Sequence, residues 1–307
     1  MRIAIMGSGG MGGFLGIKLA ASGHDVTFIA RGKHLAAIKS QGIKLLSRAG
    51  DMHIHPATAC ENTKDAGMFD LILFCVKLYD TEQAARACLP MIGDRTFILT
   101  LQNGVESVDI ISTVVGPGKT VGGSIYVSAN ILSPGVIKHS GGIDTIRFAE
   151  VNNQPSARTE ILERIFNDAG LMGIREENLQ KMLWTKFVLL CANAGLGSLT
   201  DSGAAAMCSD PDTREILLGA MWEVYHVAQA MGIILPPNTV DDVLSLILSA
   251  GHHKDLIASQ CLDLRSGNRL ELEWVQGVLH RLGRKYNVPT PINSTAYVAL
   301  KRFRDGL

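Results

Sequence analysis

The chain has 307 residues, 47% of them apolar and 19% charged, which is enough apolar material for two cores of ordinary size and excludes extended disorder. Lysine plus arginine equals aspartate plus glutamate at 29 each, so no net field favours nucleic acid or an anionic membrane, and a small molecule is the expected partner. The cysteines (Cys60, Cys75, Cys88, Cys191, Cys208 and Cys261) are scattered with no C-x-x-C pair, and read as reduced structural thiols rather than a disulfide or metal framework.

The opening MRIAIMGSGG passes from a short apolar run straight into glycines. With no long apolar leader, and no apolar run of the roughly 18 residues that span a bilayer, the expected location is the cytoplasm, with no membrane partner. The first half then alternates short apolar runs with amphipathic ones: RIAIMG, GGFLGIKLAASG, DVTFIA, KHLAAIKSQG, DLILFCVK, TEQAARACLP and TFILTLQNG. Strand, helix, strand in this alternation predicts a parallel sheet with helices on both faces. TVGGSIYVSAN, GVIKHSGG and IDTIRFAEV read as further strands closing the same sheet, and NNQPSARTEILERIFNDAG as the last helix of that domain. From about residue 178 onward the segments carry apolar residues at helical spacing and end near glycine or proline, which predicts an all-helical second domain. Large apolar faces on those helices suit a homodimer.

Within IAIMGSGGMGG, Gly7, Gly9 and Gly12 stand in G-x-G-x-x-G spacing between the first strand and the first helix. There Gly7 allows the tight turn, Gly9 lets backbone approach a pyrophosphate, and Gly12 lets helix and strand pack closely, with the phosphates at the helix N-terminus. The whole loop, Gly7, Ser8, Gly9, Gly10, Met11 and Gly12, is the expected cofactor cradle. The next strand, DVTFIAR, ends where the adenosine ribose would lie. An acidic residue there would accept from a 2′-hydroxyl, whereas Arg31, with Lys33 and His34 just beyond, suits a 2′-phosphate, so NADP is favoured over NAD. The fold class is thus α/β, an N-terminal Rossmann-type doubly wound sheet (residues 1–177) followed by a helical substrate and dimerisation domain (178–307).

In KMLWTKFVLLCANAG, Lys186 lies in the most apolar helical run of the chain, where a charge is costly unless something uses it. Taken in order, GSGGMGG with Arg31, FCVKLYD, LQNG, LWTKF and SQCLDL…ELEWVQG…VPTPIN resemble the ketopantoate reductase (2-dehydropantoate 2-reductase) family over essentially the whole chain. The resemblance implies NADPH-dependent reduction of a 2-oxo acid to a 2-hydroxy acid, foremost 2-dehydropantoate to pantoate. It makes Lys186 the proton donor to the carbonyl oxygen and Glu271, which opens the ELEWVQG run read as a helix, the acidic residue beside substrate and nicotinamide. It also implies that Lys77 and Asn103 lie near cofactor and active site, Asn103 meeting both cofactor and substrate. By the same resemblance, Ala129 is expected to touch the cofactor through its backbone, and Ser259 to bind the substrate carboxylate.

The chain departs from the family pattern at Leu190, Ala194, Ala204 and Leu256, where the family tends to carry asparagine. Asn193, seven residues beyond Lys186, returns within about 20° of it on a 3.6-residue helix and could partly substitute as a substrate ligand. Fewer amides point to a substrate more apolar than ketopantoate, with D-mandelate-type dehydrogenases of the same fold family as precedent. Two rivals stay open: another Rossmann-plus-helical dehydrogenase of the 6-phosphogluconate or 3-hydroxyisobutyrate type, and a non-catalytic NADP(H) redox sensor. The pair His252 and His253 has no acidic or cysteine partner at ligand spacing, so it reads as a solvated loop and no metal is expected.

Overall fold

The computed structural model describes residues 1–140, 144–251 and 257–307, and the chain divides into two compact units. The first comprises Met1–Gln102 and Glu106–Leu179, the second Asn103–Val105 and Gln180–Leu307.

The first unit runs β1 (Arg2–Met6), α1 (Gly10–Ala21), β2 (Asp25–Ile29), α2 (Gly32–Gln41), β3 (Ile43–Ser47), β4 (Met52–Ile54), β5 (Thr58–Cys60) and β6 (Phe69–Phe74). It continues through α3 (Thr81–Cys88), β7 (Ile92–Thr100), α4 (Ser107–Val115), β8 (Thr120–Tyr126), β9 (Ala129–Ser133), β10 (Val136–His139), β11 (Thr145–Glu150), α5 (Ala157–Asp168) and β12 (Met172–Arg175). Its main sheet has the order β12-β11-β8-β7-β6-β1-β2-β5. The six strands from β8 to β5 are parallel, while β11 pairs antiparallel with β8. Buried on both faces, the central strands read as continuous apolar runs: Ile3, Ala4, Ile5, Leu71, Ile72, Leu73 and Phe74 are all fully buried. The order reverses between β1 and β6, so the loops after these two strands flank a topological switch point, where open α/β sheets bind ligands.

Two features correct the sequence reading. β9 and β10 do not close the main sheet but join β3 and β4 in a separate four-stranded sheet, order β4-β3-β10-β9. The cause lies in α1, which is apolar nearly all round and needs cover on two sides. Phe14, Leu15, Ile17 and Leu19 are buried, and Ile43, Leu45 and Ile137 of the small sheet belong to the same core. The second feature is β12, which pairs parallel with β11 after the α5 crossover; four residues, MGIR, are too short to show a period.

The second unit holds α6 (Leu179–Thr200, whose first residue counts with the first unit), α7 (Ala204–Ser209), α8 (Pro211–Ala230), α9 (Thr239–Gly251), α10 (Ser259–Arg265), α11 (Gln276–Lys285) and α12 (Pro291–Leu300). By length and composition α6 could cross a membrane, contrary to the expectation that no run reaches that length, yet 72% of its most apolar window is buried inside the fold. Buried polar groups tie the helices together: Gln276 donates to the Cys191 carbonyl (3.1 Å) and Gln260 to the Ala194 carbonyl (3.3 Å). The Glu223 carboxylate accepts from the Ile292 and Asn293 amides (2.7 and 2.9 Å), capping α12. None of the six cysteines is in a disulfide, and burial pushes the thiols of Cys75 and Cys88 up to about 12, which keeps them inert.

Candidate active site

The glycine-rich loop follows β1 in the first unit, and its glycines differ in what they do. Gly7 has φ +94°, a left-handed conformation that side chains rarely adopt. A Cβ on Gly12 would stand 2.2 Å from the Gly7 carbonyl oxygen and 2.8 Å from Ile5, so the helix start packs on the strand only without one. At Gly9 nothing lies within 4 Å of the missing Cβ, leaving an open backbone face at the N-terminus of α1. That open face and the helix start fit a pyrophosphate. Gly10 packs against protein instead: a Cβ there would be 2.3 Å from the Ala129 carbonyl oxygen, so the first residue of β9 crosses the first turn of α1 by its backbone. Ser8 is buried, its hydroxyl within hydrogen-bond distance of the Ile5 and Ile29 carbonyls (3.3 and 3.1 Å), and Met11 is half-buried against the core. Gly12→Ala is expected to destabilise the protein by about 1–3 kcal/mol through overpacking against backbone. Urea unfolding measures it, and an unchanged midpoint would sink the close-packing argument.

Arg31 and Lys33 are exposed at the start of α2, immediately beyond β2. His34 is half-buried and accepts a hydrogen bond from the Gly135 amide at Nδ1 (3.0 Å), so it does not join them as an exposed cation. Lys77 is half-buried and follows the carboxyl end of β6 by three residues. Gln102, which bonds to the residue before Lys77, is 6% exposed and is assigned no role by the sequence motifs. Gln102 Nε2 donates to the Val76 carbonyl (3.0 Å) and to Thr81 Oγ1 (2.9 Å). No local pattern marks such a residue, because its partners lie more than 20 positions away.

In the second unit Lys186 sits in the first half of α6, and its Nζ donates to Asn103 Oδ1 at 3.1 Å. Asn103 belongs to this unit, in the short segment Asn103–Val105, although it follows β7 in sequence. Burial pulls the pKa of the Lys186 amine down from 10.5 to about 8, and the Glu271 carboxylate pulls it back up. Trp184 and Phe187, both 1% exposed and in edge-to-face contact at 5.5 Å, lock this part of the helix.

Glu271 is buried at 7% exposure. It does not open an α-helix, as the sequence suggested, but precedes a single 3-10 turn, Leu272–Trp274, and α11 starts only at Gln276 because Val275 leaves helical geometry (φ −110°, ψ −87°). A single turn has almost no dipole to complement, so the carboxylate is not explained as a helix-start residue. Glu273 is engaged elsewhere, accepting from Tyr297 at 3.0 Å and pairing with Arg281 at 3.3 Å.

Ser259 is exposed at the first position of α10. Asn193 is buried two turns beyond Lys186, its Oδ1 3.5 Å from the place a Cβ on Gly197 would take, one further turn along. Among the positions that lack asparagine, Leu190 is half-buried, and Ala194 and Ala204 are buried. Leu256, His252 and His253 lie outside the described residues.

Comparison with known proteins covers both units. The family model "Ketopantoate reductase PanE/ApbA" matches residues 3–153, and "Ketopantoate reductase PanE/ApbA C terminal" matches residues 178–304. A 2-dehydropantoate 2-reductase of Mesorhizobium japonicum is 27% identical, over 98% of this chain and 97% of the relative. The crystal structure of 2-dehydropantoate 2-reductase from Geobacter metallireducens GS-15 is 26% identical with a TM-score of 0.91, covering 98% of this chain and 99% of that one. A ternary structure of D-mandelate dehydrogenase with NADH and anilino(oxo)acetate shares the fold, with a TM-score of 0.89 at 23% identity, covering 99% of this chain and 98% of that one.

Proposed function

Because the chain belongs to the ketopantoate reductase PanE/ApbA family, we propose that it reduces a 2-oxo acid to the 2-hydroxy acid with NADPH, and that its substrate is 2-dehydropantoate. The observation that carries this reading is Lys186: a half-buried lysine whose amine is held by the Asn103 carboxamide, lowered in pKa by burial and balanced by Glu271. When bound, the nicotinamide supplies the hydride. Lys186 Nζ gives its proton to the carbonyl oxygen as negative charge develops there, and the low-polarity surroundings strengthen that stabilisation. Asn103 holds the ammonium in place through its side-chain oxygen, and Glu271 keeps the amine charged at neutral pH despite its burial. Ser259 is assigned to the substrate carboxylate.

The loop Gly7–Gly12, with Lys77 and the Ala129 backbone, is assigned to the dinucleotide, and Arg31 to its 2′-phosphate. A second reading draws on Leu190, Ala194 and Ala204, where buried or half-buried apolar side chains replace amides: the substrate is then a more apolar 2-oxo acid.

A panel of 2-oxo acids assayed by cofactor oxidation with NADPH and with NADH tests both readings. Turnover with NADPH is expected to exceed that with NADH, and Arg31→Ala to shrink the ratio by about tenfold, the worth of one charge-assisted contact. A wild-type preference for NADH would refute the Arg31 assignment. Higher kcat/KM for branched or aromatic 2-oxo acids than for 2-dehydropantoate would favour the second reading.

A further inference from the structure

The link between β6 and α3 carries Lys77, and one buried carboxamide fixes both of its ends. Gln102 Nε2 donates to the Val76 carbonyl at the start of the link (3.0 Å) and to Thr81 Oγ1 at its end (2.9 Å). Thr81 Oγ1 in turn donates to the Leu78 carbonyl (2.7 Å), and Gln102 Oε1 accepts from Thr100 Oγ1 (3.3 Å). Both N–H groups of the carboxamide therefore meet acceptors, which settles its orientation. Val76 is also the wall of the glycine-rich loop: a Cβ on Gly7 would stand 2.8 Å from Val76 Cγ1 and 2.9 Å from its backbone nitrogen. With clearances this small, a shift of the link is a shift of the loop.

We infer that Gln102 is a positioning residue for dinucleotide binding, its carboxamide setting the Val76–Lys77 segment against the glycine-rich loop. This rests on the reading that the loop binds NADP(H). Removing the two N–H donors leaves the half-buried Val76 carbonyl and the buried Thr81 hydroxyl without them, and the link relaxes away from Gly7.

The test is a fluorescence titration of NADPH with the full chain in the absence of any 2-oxo acid. Gln102→Met, which keeps the volume, is expected to raise Kd for NADPH about tenfold at unchanged stoichiometry. Thr81→Val should raise it in the same direction by less, because the Val76 bond survives, and Thr81→Ser, which keeps the hydroxyl, should bind as the wild type does. A purely structural role would lower the binding-competent fraction and leave Kd alone. Wild-type Kd in Gln102→Met, or equal weakening in Thr81→Val and Thr81→Ser, overturns the inference. Failure of the wild type to bind NADPH or NADH at all would instead sink the reading on which it rests.

Discussion

Lys186→Met is expected to lower kcat/KM for 2-oxo acid reduction by about a thousandfold while leaving Kd for NADPH unchanged. The size follows from the two services one ammonium performs: general acid catalysis contributes roughly 10²–10⁴-fold, and a desolvated charge beside a developing alkoxide adds electrostatic stabilisation. Methionine keeps the aliphatic length of the side chain, so the packing of Trp184 and Phe187 along the same helix is spared. Cofactor affinity should hold because the glycine-rich loop belongs to the other compact unit. A variant that turns over at the wild-type rate would remove lysine from the mechanism. The non-catalytic sensor instead needs no proton donor, and it would show NADP(H) binding with no 2-oxo acid turnover in the wild type and the variant alike.

The second large effect is in the pH profile. Lys186 acts as an acid only while protonated, and burial has brought its pKa to about 8. The profile of kcat/KM for reduction should therefore be flat below that pH and fall about tenfold per unit above it. In the reverse direction the neutral amine is needed as base, so oxidation of the 2-hydroxy acid should rise over the same interval and level off beyond it. Glu271→Gln removes the carboxylate that raises the lysine pKa, so the break moves to lower pH. The loss of rate in that variant should then be greater at neutral pH than in mild acid. A break near 10.5, the ordinary lysine value, would mean that the amine is solvated and that burial does not set its chemistry.

The local patterns carry much of this molecule. A glycine-rich turn between an apolar strand and an amphipathic helix is legible within a dozen residues, because the tight turn, the open backbone face and the close packing each constrain one position. The alternation of strand and helix, and the change to helices alone, follow from short continuous apolar runs, the mark of strands buried on both faces, set against the 3.6-residue period of the helices. Lys186 stood out because a charge in an apolar helix contradicts its surroundings. The order of the motifs, more than any one of them, indicated the family.

What the sequence left open depends on partners far apart in the chain. The small sheet is formed when Val136–His139 pairs with Lys44–Ser47, some ninety positions earlier, and short strands at that separation leave no local period to read. Asn103 lies 83 positions from Lys186 yet shares its compact unit and bonds to its amine. Glu271 looked like a helix start because its neighbours have helical composition, but the backbone at Val275 ends the first turn before the helix begins. Gln102 resembled any polar residue before an Asn-Gly turn, and only the packed carboxyl ends of β6 and β7 show that its N–H groups hold Val76 and Thr81. Short-range sterics and periodicity set the elements, whereas their polar partners are chosen by which carbonyls and charges burial leaves to be satisfied, and that is known only once the elements have packed.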